Sequence, residues 1–168
     1  MIKLIFCSDL VGNVGKDNDL IFKYKEDMKF FRETTLGSTV LMGYKTYESL
    51  GSKPLPKRIN MVLTRREEYE LDREVIVVRN LEKAIEDFRK NYPNEDLYII
   101  GGAMVYNKCL ELDLVDEVLI TLVNTVAKEA DTKVELAYIF DNLPYREKIK
   151  EFTSEDGKKV EIFRYYKK

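Results

Sequence analysis

The sequence predicts an α/β fold: a mixed, mainly parallel eight-stranded sheet with flanking helices and an antiparallel C-terminal hairpin. Short apolar runs alternate with segments of helical period, the pattern of a layered α/β domain. The early strands are separated by helix-length crossovers, which call for parallel pairing. The last third is strand-rich and places Gly157 where a hairpin would turn, which calls for an antiparallel edge. A length of 168 residues suits a single domain, residues 1–168, with one core.

Each element has a local reason. Residues 3–8 form an apolar run that Asp9 ends, a first strand. Residues 12–24 are polar and Gly-bearing and read as a loop long enough to be functional. A helix follows over 25–35, a short strand over 39–42, and a second helix from Gly43 to Leu50. Residues 51–57 hold prolines and form a loop. Strands are predicted at 59–64 and 75–78. Asn80 looks like an N-cap, and Leu81, Ala84, Ile85 and Phe88 after it keep helical spacing. Residues 97–100 are a short strand broken by Gly101-Gly102, with a helix over 103–110. A strand over 115–123 and a final strand over 159–166 complete the pattern.

Composition narrows the chemistry. There are 28 basic and 30 acidic residues, a net charge of −2. No basic excess points to nucleic acid or an anionic membrane. Histidine is absent, which excludes Ser–His and Cys–His dyads and His-ligated zinc, and no metal site is expected. The two cysteines, Cys7 and Cys109, are far apart and suit buried thiols in a reducing compartment. No stretch approaches the ~18 apolar residues of a membrane helix. A cytoplasmic protein is expected, and a monomer, since neither heptads nor a large apolar surface stripe is evident.

Three strand ends look prepared for a nucleotide, because ligands in open α/β sheets sit beyond the carboxyl ends of strands. In Ile99-Ile100-Gly101-Gly102-Ala103, the double glycine lets backbone approach a ligand closely at a helix start. In Leu41-Met42-Gly43-Tyr44-Lys45-Thr46, amides, hydroxyl and ammonium can all meet phosphate oxygens. In Leu63-Thr64-Arg65-Arg66, two arginines follow an apolar strand and can clamp a phosphate. Each alone is equally a tight turn or a solvated charge; together they favour a nucleotide. Gly12-Asn13-Val14-Gly15-Lys16 lacks the P-loop spacing, and Asp17 stands where Ser or Thr belongs.

Asp27 shares a helix face with Tyr24, Met28, Phe31 and Thr35. A carboxylate among apolar neighbours is desolvated, which raises its pKa and keeps a proton available near neutral pH. An acid in a first helical turn also simply favours the macrodipole. Tyr106, Thr121 and Arg58 are ambiguous by themselves.

Taken in order, these segments resemble the dihydrofolate reductase family over nearly the whole chain. Met1-Ile2-Lys3-Leu4-Ile5 followed by Val14-Gly15 is similar to its first strand and active-site loop, and Asp27-Met28-Lys29-Phe30-Phe31-Arg32 to its acid-bearing helix. Val40 to Leu50 is close to its most recognisable segment. Pro54-Leu55-Pro56-Lys57-Arg58-Ile59-Asn60 fits its P-L-P-x-R-x-N run, and Ile100-Gly101-Gly102-Ala103-Met104-Val105-Tyr106 its I-G-G motif. Thr121 and Glu129-Ala130-Asp131-Thr132 fit late landmarks.

The resemblance implies an NADPH-dependent reduction of dihydrofolate, with antifolates as inhibitors. Asp27, Phe22 and Thr121 become the catalytic group: Asp27 holds the pterin N3 and 2-amino edge, and Thr121 bonds that carboxylate. Ile5, Phe6, Cys7, Met28, Phe31, Leu50, Leu55, Ile100 and Tyr106 line the pterin and benzoyl pocket. Arg58 pairs with the α-carboxylate of the glutamate tail, and Arg32 lies near it. For the cofactor, Cys7, Val14, Gly15, Asn18, Leu20 and Ile100 bound the nicotinamide side, and Gly101, Gly102, Ala103, Met104, Val105 and Tyr106 carry the nicotinamide and pyrophosphate. Gly43, Tyr44, Lys45 and Thr46 meet phosphate. Leu63, Thr64, Arg65 and Arg79 surround the adenosine 2′-phosphate. The 12–24 segment becomes a lid that excludes water and gates release.

The chain departs from the family at Ile21-Phe22, where most relatives have Pro-Trp, and at Tyr44, where many bacterial relatives have arginine. The nearest rival is a reductase of the riboflavin pathway, which Asp27 and the 54–60 run disfavour. A non-catalytic nucleotide-binding module is the other; it predicts NADPH binding without turnover.

Overall fold

The computed structural model describes residues 1–168. In chain order its elements are β1 (Ile2–Asp9), β2 (Asn13–Lys16), β3 (Asp19–Leu20), α1 (Lys25–Thr35), β4 (Thr39–Gly43), α2 (Tyr44–Ser49), β5 (Ile59–Leu63) and β6 (Ile76–Val78). They continue as α3 (Leu81–Asn91), β7 (Leu97–Gly101), α4 (Ala103–Glu111), β8 (Glu117–Val123), β9 (Thr132–Lys133), α5 (Leu136–Asn142), β10 (Tyr145–Thr153) and β11 (Lys159–Tyr166). Eight strands form the main sheet in the order β10-β11-β8-β1-β7-β4-β5-β6. The pairs from β8 to β6 are parallel, and β11 and β10 add antiparallel at one edge. Strands β7 and β8, consecutive in the chain, lie on either side of β1. That makes the carboxyl end of β1 a topological switch point, the place where open α/β sheets form their ligand crevice.

Strand alternation sorts the side chains into two layers. Leu4 and Phe6 of β1, Ile99 of β7 and Ile120 of β8 join the larger core with Ile85 and Phe88 of α3, Cys109 of α4 and Ile139 of α5. The intervening positions, Ile5, Tyr98 and Leu119, face the other way with Val40, Met42 and Tyr47, against which Phe30 and Phe31 of α1 pack. Beyond them Cys7 packs with Phe22, Tyr24, Val123 and Val160. Helices therefore cover both faces, with α1 and α2 on the side of Ile5 and Leu119.

The elements follow the predicted order with informative differences. Asn80 caps α3 by accepting the Lys83 amide at 2.9 Å. Residues 12–24 are not a plain loop: β2 and β3 pair within it, and β2 also pairs with β9, giving a second three-stranded sheet. Such short strands carry no period, and a pairing across more than a hundred residues has no local signal. Helix α5 was not expected either; its Leu136 and Ile139 are buried, but seven residues are too few to display a helical face. No helix is long and apolar enough to cross a membrane.

Candidate active site

Asp27 stands in the first turn of α1, half-buried, over the α1-facing side of β1 and β8. Thr121 of β8 donates its hydroxyl to Asp27 Oδ1 at 2.5 Å. Cys7 of β1 is the register partner of Thr121, so the two side chains share one face beneath the carboxylate. Burial pushes the Asp27 carboxyl above its usual range, and the Thr121 hydroxyl and Cys7 thiol, which favour the ionised form, restrain the rise. The Cys7 thiol is itself pushed up well above its ordinary value, by burial and then by the facing carboxylate. This is an acid tuned by its surroundings, at the crevice that the topology creates.

Around it, Phe22 is buried with its ring 5.9 Å from Tyr24. Ile5, Phe31, Leu55 and Ile100 border the same side of the sheet. Phe6 does not: strand alternation sends its ring to the opposite face, 4.9 Å from Tyr106 within the larger core. Its expected place in the substrate pocket is corrected accordingly, since adjacent strand residues cannot face the same way. Tyr106, also in that core, donates its hydroxyl to the Ile5 carbonyl at 2.9 Å. Met28 and Leu50 are exposed at the rim.

Arg58 lies further along the crevice. Its Nη1 donates to Thr35 Oγ1 at 3.0 Å and its Nε to the Pro56 carbonyl at 2.9 Å. Burial, then the guanidinium of Arg32, lower its pKa. Two cations brought together in this way suit an anionic ligand group. Asn60, not singled out in the sequence, fixes the approach: its side chain exchanges hydrogen bonds with Leu55 N and O, both 2.9 Å, and donates to the Arg58 carbonyl at 3.1 Å. The P-x-R-x-N spacing was its only signal.

The second half of the crevice lies between two helix starts. Gly43 precedes α2 and Gly102 precedes α4, and neither supplies a side-chain cap. Met42 and Gly101 are register partners, so the two starts are adjacent. Gly101 has φ +134°, and the peptide to Gly102 is cis. A Cβ at Gly101 would lie 3.0 Å from Thr46 Oγ1 and 3.5 Å from Tyr106 Oη. Only glycine leaves this cradle open, which fits a dinucleotide's pyrophosphate against free helix amides. Ala103 and Val105 lie in the first turn of α4, with Val105 buried, whereas Met104 is 82% exposed. Lys45 is exposed beside it.

Beyond β5, Thr64, Arg65 and Arg66 form a basic turn. Arg66 lies over the Tyr44 ring at 4.3 Å, so a guanidinium stands beside the one position where the chain departs from the arginine of many bacterial relatives. Arg79, expected at the cofactor, instead donates Nη1 to the Thr64 and Arg66 carbonyls at 2.9 and 2.6 Å and so shapes the turn. Arg65 is exposed. Leu63 packs inward, toward the larger core. Within residues 12–24, Val14 and Gly15 are buried, Leu20 is exposed, and Asn18 donates to Glu48 of α2 at 3.4 Å. A separate groove of about 560 Å³ between α3 and strands β5 and β6 shares only Arg79 with these residues.

Among proteins of known identity, a bifunctional dihydrofolate reductase-thymidylate synthase of Paramecium tetraurelia is 34% identical over 125 residues, 74% of this chain and 26% of that protein. The dihydrofolate reductase of Lactococcus lactis is 34% identical over 105 residues, 62% of each chain. That of Bacillus subtilis is 37% identical over 106 residues, 63% of this chain and 60% of that one. The chain thus matches less than two thirds of the length of these relatives. A solved dihydrofolate reductase from Enterococcus faecalis, complexed with NADP(H) and RAB-propyl, superposes with a TM-score of 0.79 at 25% identity, covering 99% of this chain and 95% of that one. The family model described as dihydrofolate reductase matches residues 1–167, and with the switch-point crevice, the Asp27–Thr121 pair and the Gly101 cradle, the chain belongs to the dihydrofolate reductase family.

Proposed function

We propose that this chain reduces 7,8-dihydrofolate to 5,6,7,8-tetrahydrofolate with NADPH, serving one-carbon metabolism and thymidylate synthesis. The observation that carries the reading is one half-buried carboxylate, Asp27, held by Thr121 at 2.5 Å beside a glycine cradle. When bound, NADPH supplies the hydride that reaches pterin C6. The chain's own residues do the rest by position and electrostatics.

Asp27 accepts from the pterin N3 and 2-amino groups, so the ring is held by paired charge-assisted bonds. Thr121 and Cys7 orient the carboxylate from below. The raised Asp27 pKa favours the protonated pair of carboxyl and pterin that precedes protonation at N5, with water delivering the proton. Phe22 and Phe31 exclude bulk water from the reacting edge. Arg58, with Arg32 nearby, takes the glutamate tail. Thr46, Lys45 and the amides at Gly102–Ala103 hold the pyrophosphate, while Thr64 and Arg65, with Arg66 on Tyr44, receive the 2′-phosphate. Residues 12–24 close over the nicotinamide.

The test is Asp27→Asn, an isosteric change that keeps a hydrogen-bonding side chain and removes the carboxylate. Turnover at pH 7 is expected to fall by roughly a hundredfold or more, with NADPH affinity retained. Activity is expected to recover partly at low pH, where the substrate is already protonated. An unchanged pH profile would refute the role of Asp27.

A further inference from the structure

Asp9 is a buried titratable side chain to which the reduction gives no task. It ends β1 and is wholly inaccessible to solvent. Its Oδ1 accepts the amides of Val11 at 3.0 Å and Asn13 at 2.9 Å. Its Oδ2 accepts Asn13 Nδ2 and the Ala127 amide, both at 2.7 Å. Asn13 Nδ2 also donates to the Ala127 carbonyl at 3.2 Å. One carboxylate therefore joins two segments more than a hundred residues apart.

Both segments lead into the lid sheet. Asn13 begins β2, and Ala127 lies in the connection from β8 to β9, the partner of β2. Higher up, the same segments meet again. The Asp131 amide donates to the Gly15 carbonyl at 3.0 Å, and the Val134 amide to the Gly12 carbonyl at 2.8 Å. The Asp17 amide donates to Asp131 Oδ2 at 2.9 Å. The fit at the root leaves no slack: Gly12 has φ +93°, and a Cβ there would stand 2.2 Å from the Val134 carbonyl oxygen.

We infer that Asp9 is a positioning residue for the lid, clasping the roots of its two halves so that residues 12–24 hold their place over the cofactor. Its four donors explain why a carboxylate is needed. Without it, the backbone amides of Val11, Asn13 and Ala127 lose their side-chain acceptor and Asn13 Nδ2 keeps only the Ala127 carbonyl, which weakens the tie between the two roots. The two rows of hydrogen bonds act in series, so loosening the lower one loosens the upper. The link to cofactor release rests on the proposed function; the clasp itself is a property of the fold.

The experiment compares wild type and Asp9→Asn, which keeps one acceptor oxygen but turns an NH2 toward the donors of Asn13 and Ala127. In the ligand-free protein, amide hydrogen exchange is followed at Asp131, whose partner Gly15 makes no bond to Asp9, at Val134 beside the root, and at Ile99 in the core. Protection at Asp131 and Val134 is expected to fall roughly tenfold or more beyond any change at Ile99. An equal fall at all three sites would make Asp9 an ordinary stabilising cap and overturn the inference, as would no change at Asp131 and Val134. Asn13→Ala, which removes only the side-chain half of the clasp, should give the same pattern at smaller amplitude should Asp9→Asn fail to fold. Stopped-flow release of NADPH then reads the link to function. Release is expected to be roughly tenfold faster in Asp9→Asn, and Asp9→Asn with Asp131→Ala should be faster by less than the product of the single effects. Localised loss of protection with unchanged release would overturn the link between clasp and lid. Wild type that binds no NADPH would instead refute the proposed function and leave the exchange result standing.

Discussion

At the scale of single residues, the site depends on where charge is placed and what surrounds it. Asp27 gains its raised pKa from burial while Thr121 and Cys7 keep the carboxylate oriented. At the far end of the crevice the argument is the reverse, since cations there wait for an anion. Arg65 is exposed at the basic turn, next to Arg66 on Tyr44. Arg65→Ala is therefore expected to weaken NADPH by roughly 10- to 100-fold, the scale of one lost charged hydrogen bond, and NADH by less than about twofold. Equilibrium binding of both cofactors by fluorescence checks this; equal losses would contradict a 2′-phosphate contact. The inward side of Asp27 was visible in the sequence as a carboxylate on an apolar helix face. Its partner was not, because Thr121 lies 94 residues away and only the family resemblance connected the two. Asp9 reads in the sequence only as the end of an apolar run, although the following Gly12-Asn13 is the turn chemistry such a carboxylate serves.

At the scale of elements, legibility follows length and period. Helices α1 and α3 are eleven residues each; α1 has its predicted span and α3 starts after the predicted Asn80 cap, because an amphipathic face repeats over three turns. The Asn80 cap was equally plain, and its contribution is testable: Asn80→Ala should destabilise the protein by about 1 kcal/mol in urea unfolding, with no change in NADPH affinity. A change of no more than about 0.2 kcal/mol would mean that the Lys83 amide finds another acceptor. Strands β2, β3 and β9 carry no sequence signal, since two to four residues show no alternation. Phe6 was misplaced for a related reason: a family resemblance assigns a position, whereas the two-residue period of β1 decides which face that position serves.

At the scale of the whole molecule, the sheet is finished differently at its two edges. The outer strand β10 is exposed almost throughout, carries Arg146, Glu147, Lys148, Lys150 and Glu151, and breaks register between Lys148 and Lys150. Charge and a bulge discourage pairing with another chain. Stability against acid has a comparable origin in one buried group. Burial alone would raise the Asp9 carboxyl, but its donors outweigh burial and hold it below the usual range. A carboxylate lowered in the folded state contributes stability above its unfolded pKa of about 3.9 and loses it as pH falls through the folded value. The raised Asp27 acts oppositely, favouring the folded state when protonated. Thermal unfolding should therefore show the stability difference between wild type and Asp9→Asn constant from about pH 8 to pH 5 and shrinking below about pH 4. A difference independent of pH down to about pH 2 would show that the Asp9 charge does not matter.

The central claim is that this crevice reduces dihydrofolate with NADPH. The most direct measurement mixes the purified protein with both compounds and follows absorbance at the nicotinamide band. The predicted result is NADPH loss that requires dihydrofolate, is blocked by a pterin antifolate, and nearly vanishes at neutral pH in Asp27→Asn. NADPH binding with no dihydrofolate-dependent loss in the wild-type protein would contradict it.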